Sequence, residues 1–238
     1  MSSGAEIIQM IGRLQDLKGF RDQHWEGTFE DYLQVVRENP GVTRSAFQRI
    51  YDMILAEGTR EYYEYKKKII HYNFFDDANH GGVDAVYGLG LPLMKMVNAF
   101  KSAAKRYGTE KRVLLLHGPV GSSKSTIVRR LKKGLEDYSR TPEGALYSFS
   151  WILEDENTRR KQDQATLEMP CPMQEEPLHL IPQDLRPEVF AGLNDGKADS
   201  EHIAVEGDLC PACRQQFREM NLRYGGDWTQ IISHVKVR

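Results

Sequence analysis

Residues 112–131 read RVLLLHGPVGSSKSTIVRRL. Four apolar residues, Val113 to Leu116, run into a loop of small residues, and a Lys-Ser pair then opens a helical pattern with Ile127, Val128 and Leu131 on one face. Strand, loop and helix in that order are the context a phosphate-binding loop requires. The loop N–H groups and the unpaired N–H groups of the helix's first turn would converge on one point. The helix dipole adds partial positive charge there, so an anion is stabilised before any side chain acts. Gly118, Pro119, Val120, Gly121, Ser122, Ser123, Lys124, Ser125 and Thr126 are therefore the candidate phosphate-holding residues. Lys124 would reach the β- and γ-phosphates of ATP, and the Ser125 hydroxyl would be a Mg²⁺ ligand.

One position departs from the usual pattern. Gly commonly precedes the Lys, and here Ser123 stands in its place. A serine fits if its φ stays negative or if the loop accepts strain, and Gly121 can take the flexible role instead. An ordinary surface turn also uses Gly, Ser and Lys, but it does not account for the apolar run before the loop or the helical spacing after it.

The remaining composition narrows the function classes. Apolar residues at 40% and charged residues at 28% are those of a globular protein with a core. A net charge of −2 forces no basic face, so nucleic-acid binding gains no support from charge. No apolar run reaches the length of a membrane span, and no signal-peptide layout opens the chain. Three cysteines, an odd number, argue against a disulfide framework and for a reducing, cytoplasmic setting.

In chain order, Ile7, Ile8, Ile11, Leu14 and Leu17 suit one amphipathic helix. Thr28 to Asp31 reads as a capping box opening a second helix through Val36, and Thr43 as the N-cap of a third over 44–56, closed by Gly58. Tyr62, Tyr63, Tyr65 and Lys66 to Lys68 admit a nucleic-acid-stacking reading, but a helix with packed tyrosines and solvated lysines is the expectation preferred. Gly88-Leu-Gly90 lacks the third glycine of a dinucleotide loop. An apolar-periodic helix is expected over 91–107, the phosphate-loop helix over 124–138, and a second strand over 145–153.

Beyond Leu153 the chain becomes charged and then proline-rich. Cys210-Pro-Ala-Cys213 has the spacing of a zinc knuckle, and Cys171 lies upstream. A fourth ligand is needed, for which His179 is the candidate, with His202 as a less regular route. A bound zinc would explain how a proline-rich segment with little core stays folded. Three cysteines buried as small hydrophobes are the competing reading. The last eleven residues alternate toward a strand and end without a cap, which reads as a truncation point.

The run over 108–126, with FFDD and GGVDAVYGL before it and YSRTPEGALYSF after it, resembles the PrkA family. So do residues 28–54, the CPM and EEPLHLIP segments and LCPACR. These are bacterial proteins described as serine protein kinases, in which an AAA-type ATPase region precedes a kinase-like C-terminal region. The serine before the lysine belongs to this family's version of the loop. The resemblance implies that residues 85–88, with Val86, Tyr87 and Gly88, border the adenine. It also implies that a protein substrate, which the sequence does not identify, is acted on and that subunits self-associate in the intact protein.

The departures count as well. An AAA ATPase needs an apolar strand ending in acidic residues and an arginine from a neighbouring subunit. The local candidate, Trp151 to Asp155, reads better as the second strand. No H-R-D or D-F-G segment is present. The expected fold is α/β: a P-loop, AAA-type core with a helical N-terminal region and a Pro/Cys-rich insertion, the core itself incomplete. Its boundaries are 1–70 for the helical region, 71–155 for the first part of the core, 156–226 for the insertion and 227–238 for a further core strand. ATP binding leads the functional reading, with poor turnover by this stretch alone. A nucleotide-holding regulatory or oligomerisation module and a zinc-stabilised interaction domain are the rivals.

Overall fold

The computed structural model describes residues 4, 9, 10, 24–154, 166–197 and 202–238. The helix expected over Ile7 to Leu17 lies outside them, apart from residues 9 and 10, which are helical. In chain order the elements are β1 (Gly27–Thr28), α1 (Phe29–Glu38), α2 (Ala46–Ala56), β2 (Thr59–Glu64), β3 (Lys67–Tyr72), α3 (Gly90–Ala104) and α4 (Lys124–Tyr138). They continue with β4 (Phe149–Glu154), β5 (Thr166–Pro170), α5 (Arg186–Asn194), α6 (Pro211–Arg223), α7 (Trp228–Ile232) and β6 (Val235–Val237). Helices are thus mixed with antiparallel strands. Two compact units divide the chain, one drawn from residues up to 38, 147–192 and 205–238, the other from 39–146 and 193–204.

The first unit is built on a four-stranded sheet in the order β1-β6-β4-β5. Val235 and Val237 are buried at alternate positions of β6, while β4 is buried without a break from Phe149 through Ser150 to Trp151. The registers Phe149↔Val237 and Trp151↔Val235 set these side chains side by side. Helix α1 starts where the sequence predicts: Thr28 Oγ1 accepts from Asp31 N, and Thr28 N donates to Asp31 Oδ2 at 2.8 Å. Its Phe29, Tyr32 and Val36 are buried.

Three expectations for this unit need correction. The strand predicted over 145–153 forms over Phe149–Glu154, starting four residues later, and runs antiparallel between β5 and β6. The last eleven residues are not one strand. Asp227 accepts from Thr229 N and Gln230 N, capping the short helix α7, and only Val235–Val237 is extended. That strand, β6, pairs with both β1 and β4. The proline-rich stretch supplies β5 to the same sheet, so its stability comes partly from ladder bonds that a reading of composition does not see.

The second unit packs α2, α3 and α4 with the β2–β3 hairpin around Met53, Ile54, Tyr72, Phe74, Phe75, Val86, Leu93, Val97, Phe100 and Ile127. Helix α2 is capped by Ser45 and not by Thr43: Ser45 and Gln48 exchange the two bonds of a capping box. The helix expected around Tyr62 to Lys68 is a hairpin. Tyr65 and Lys66 both sit at positive φ, 47° and 64°, as a two-residue turn matched to strand twist requires. Aromatic and β-branched residues on both sides favour strands over a helix, and Tyr72 in the core cluster with Ile70 packed against it, two residues apart on β3, fix which side faces that core.

The largest departure is at residues 113–117. The run ahead of the phosphate loop has no ladder partner among the described residues, and Val113 is 94% and Leu115 83% exposed. Alternation and apolarity prescribe a strand, but a strand exists only where another backbone satisfies its N–H and C=O groups.

Candidate functional site

Helix α4 begins at Lys124, as its sequence pattern predicts, and Ser123 is its N-cap residue. Ser123 holds φ at +57°, so the serine accepts the left-handed conformation that glycine usually supplies, and Gly121 is left-handed too. No side chain caps this helix, which leaves the first-turn N–H groups directed at the loop. The loop closes tightly: Ser122 Oγ donates to Pro119 O at 2.8 Å. A Cβ added at Gly118 would lie 2.8 Å from that hydroxyl, which would have to turn away from Pro119 O to admit it. Lys124 folds into the loop and its Nζ donates to Gly118 O at 2.8 Å, Pro119 O at 2.5 Å and Ser122 Oγ at 2.9 Å. The ammonium is therefore held inside the ring of backbone that would receive a phosphate.

Outside the loop, Ser125 opens onto a groove of about 850 Å³ lined by Leu116, Lys124, Ser125, Val128, Arg129, Lys132, Lys133 and Glu136. Four cationic side chains face one carboxylate there, so the groove favours an anionic ligand. Thr126 is half-buried and Val120 is exposed at the loop tip. These features suit a nucleotide's phosphates with Mg²⁺ on Ser125.

The segment over 74–88 is fastened to the same helix. Asp84 Oδ1 lies 2.6 Å from Arg129 Nη2. Asp77 Oδ2 accepts from Asp84 N at 2.9 Å, while Asp77 Oδ1 meets His80 Nδ1 at 2.9 Å and Arg130 Nε at 3.3 Å. Arg130 also donates to Phe74 O and Glu57 Oε1, and its guanidinium lies 4.1 Å from the Phe74 ring centre. Arg129 holds the Asp84 carboxyl below its ordinary range. Burial pushes Asp77 up, but the Asp84 N–H, His80 and Arg130 together outweigh it and leave the carboxyl below the usual value. Through this segment Val86 reaches the core cluster that contains Ile127 of α4. Tyr87 is exposed and Gly88 is left-handed at φ +70°. Sequence reasoning picked out Val86, Tyr87 and Gly88 but passed over Asp77, Asp84, Arg129 and Arg130. The signal was there in FFDD facing an Arg-Arg pair, yet nothing local says that the two segments meet.

The cysteine cluster differs from its predicted ligand set. Cys171, Cys210 and Cys213 do come together, but the fourth group among them is Glu175. His179 is engaged elsewhere, with Nδ1 bonded to Glu176 O at 3.0 Å and Nε2 to Glu206 O at 3.1 Å. His202 Nε2 bonds Lys197 O at 3.3 Å. Of the two acidic residues that close the stretch Trp151 to Asp155, Glu154 ends β4, in keeping with the second-strand reading, and Asp155 lies outside the described residues.

Among known proteins, the family model described as PrkA AAA domain matches residues 27–237. The chain is 37% identical over 229 residues to the ATP-dependent protease PrkA of Bacillus subtilis (strain 168), covering 94% of this chain and 29% of that protein. It is 36% identical over 90 residues to an uncharacterized protein in the gldA 5′ region of Geobacillus stearothermophilus, 37% of this chain and 81% of that one. The chain thus spans under a third of the length of the Bacillus relative. No solved structure matches it. No described helix is long and apolar enough to cross a membrane.

Proposed function

Because this chain belongs to the PrkA AAA-domain family, we propose that residues 118–126 bind the phosphates of Mg-ATP and that the family's ATP-dependent work on a protein substrate starts from this loop. The observation that carries the reading is the placement of Lys124 Nζ among Gly118 O, Pro119 O and Ser122 Oγ, directly ahead of an uncapped helix N-terminus. The loop N–H groups would hold the β-phosphate, Lys124 would bridge to the γ-phosphate, and Ser125 would orient Mg²⁺. The metal, when bound, supplies charge neutralisation at the transferred phosphoryl group. Val86 to Gly88, tied to α4 through Asp84 and Arg129, would border the adenine.

Turnover asks for more than binding. The one carboxylate lining the groove is Glu136, twelve residues along α4 from Lys124, or about 18 Å at the helical rise. A carboxylate at that distance does not polarise a water at the γ-phosphate. This favours a second reading, in which this stretch captures nucleotide while acidic and arginine groups from self-association or other segments complete the site. The Bacillus relative is named a protease and the family resemblance a serine kinase. Both fit ATP-coupled action on protein, and the chain's own loop serves either one.

Calorimetry with Mg-ATP tests the assignment. Wild type should bind and Lys124→Ala should lose binding while keeping the wild-type circular dichroism spectrum. Unchanged affinity in the variant would overturn it. Phosphate release measured across protein concentrations then separates turnover on self-association from binding without turnover.

A further inference from the structure

We propose that Cys171, Glu175, Cys210 and Cys213 form a closed, structural zinc site that ties the turn after β5 to the N-terminus of α6. Their ligand atoms all lie within 4.8 Å of one another, and the three cysteines are buried. A tetrahedral zinc with thiolate and carboxylate ligands needs sulfur–sulfur separations of about 3.8 Å and sulfur–oxygen separations of about 3.6 Å, from its usual bond lengths. Cys171 Sγ and Glu175 Oε2 are already 3.5 Å apart. The groups require only a small contraction to close on one ion.

Three further observations point to an ion between the groups. First, backbone N–H groups are aimed at the sulfurs: Glu175 N donates to Cys171 Sγ at 3.4 Å and Cys213 N to Cys210 Sγ at 3.5 Å. Such bonds from within the ligand loops fix ligand orientation around a metal. Second, the indole Nε1 of Trp151 is buried without a hydrogen-bond partner among the described residues, and the thiol it faces is that of Cys213. An orphaned donor costs free energy unless an acceptor stands opposite, and a zinc-bound thiolate is such an acceptor. Third, Cys210 caps the thirteen-residue helix α6 and Cys213 lies in its first turn, where the helix dipole offsets the negative charge left by three thiolates, a carboxylate and one dication.

Packing alone does not account for Glu175. Its carboxylate sits among three thiols and accepts from Cys210 N at 3.0 Å, so a purely apolar cysteine cluster would carry a charge with no cation. A Cys210–Cys213 disulfide would leave both Cys171 and that carboxylate without a role. All four positions are filled by protein, so the ion has no open site for substrate and acts by holding two segments together.

The test uses the whole 238-residue chain, prepared under reducing conditions and refolded with zinc. Elemental analysis should give one zinc per chain after desalting. Replacement by cobalt should give the visible absorption of a tetrahedral ion with intense sulfur-to-cobalt charge transfer. Glu175→Gln should keep the charge-transfer bands and lose zinc to a competing chelator at least tenfold more readily, and Cys213→Ser should abolish stoichiometric binding. If Cys213→Ser fails to fold, Glu175→Gln and the cobalt spectrum of wild type still decide. Absence of zinc in folded wild type, a six-coordinate cobalt spectrum, an iron–sulfur chromophore, or unchanged chelator competition in Glu175→Gln would each overturn the proposal.

Discussion

Arg130 Nε lies 3.3 Å from Asp77 Oδ1, and the two side chains are 1% and 0% exposed. The Nε–H donates to Phe74 O and Nη2 donates to Glu57 Oε1, so two carboxylates and a carbonyl offset the penalty of burying the guanidinium. The helix that starts at the phosphate loop is thereby locked to the segment proposed to border the adenine. Arg130→Leu removes one half of a buried pair and strands the Asp77 charge, which should cost about 3–5 kcal/mol of unfolding free energy. Urea denaturation reads that loss directly. A change under 1 kcal/mol, the scale of an exposed pair, would show that the pair is wet in solution.

The same carboxylate gives an acid limb to stability. Asp77 is held below its ordinary value, with burial opposed by the Asp84 N–H, His80 and Arg130. A folded-state pKa below the unfolded one means that the contribution is present above the unfolded value, about 3.9. It is lost as pH falls from there through the folded value. Stability should therefore decline below about pH 4, and Asp77→Asn, although weaker at neutral pH, should show a flatter decline over that window. Parallel slopes for wild type and variant in thermal melts between pH 2.5 and 5 would reject the linkage.

Ser123 stands at φ +57° immediately before Lys124. A non-glycine residue there costs about 1–2 kcal/mol, against about 0.5–1 kcal/mol of extra chain entropy that glycine forfeits on folding. Ser123→Gly should thus leave stability equal or raised by up to about 1.5 kcal/mol, with Mg-ATP affinity retained. A loss of binding in a well-folded Ser123→Gly would mean that the hydroxyl, and not the backbone shape, is what the loop needs there.

Where a signal is local, the sequence was legible. The capping pair Thr28–Asp31, the start of α4 at Lys124 and its end at Tyr138 depend on neighbours within a few residues, and the structure repeats them. Pairings between distant segments were not legible. Nothing near Tyr65 and Lys66 announces positive φ at two residues that are not glycine, so a hairpin looked like a helix. The antiparallel partners of β4 come from residues 166–170 and 235–237, which no period in the sequence links. The cysteine cluster shows both sides: the Cys-x-x-Cys spacing was readable, but Glu175 enters only because the chain turns at Gln174, at φ 50°.

Residues 113–116 carry the last prediction. Sequence pattern makes them the apolar strand behind the phosphate loop, yet Val113 is 94% and Leu115 83% exposed. Apolar side chains already in water contribute almost nothing through burial, so polar replacements there should change stability by no more than about 0.5 kcal/mol. The contrast is Ile127, 6% exposed in the core cluster, where truncation to alanine should cost about 2–5 kcal/mol. The double variant Val113→Lys, Leu115→Lys should therefore unfold at the same urea concentration as wild type and stay soluble to higher protein concentration, since an exposed apolar run promotes association. A large drop in its urea midpoint would mean that this segment is buried in solution, by self-association or by pairing with another backbone. The phosphate loop would then sit at the end of a true strand.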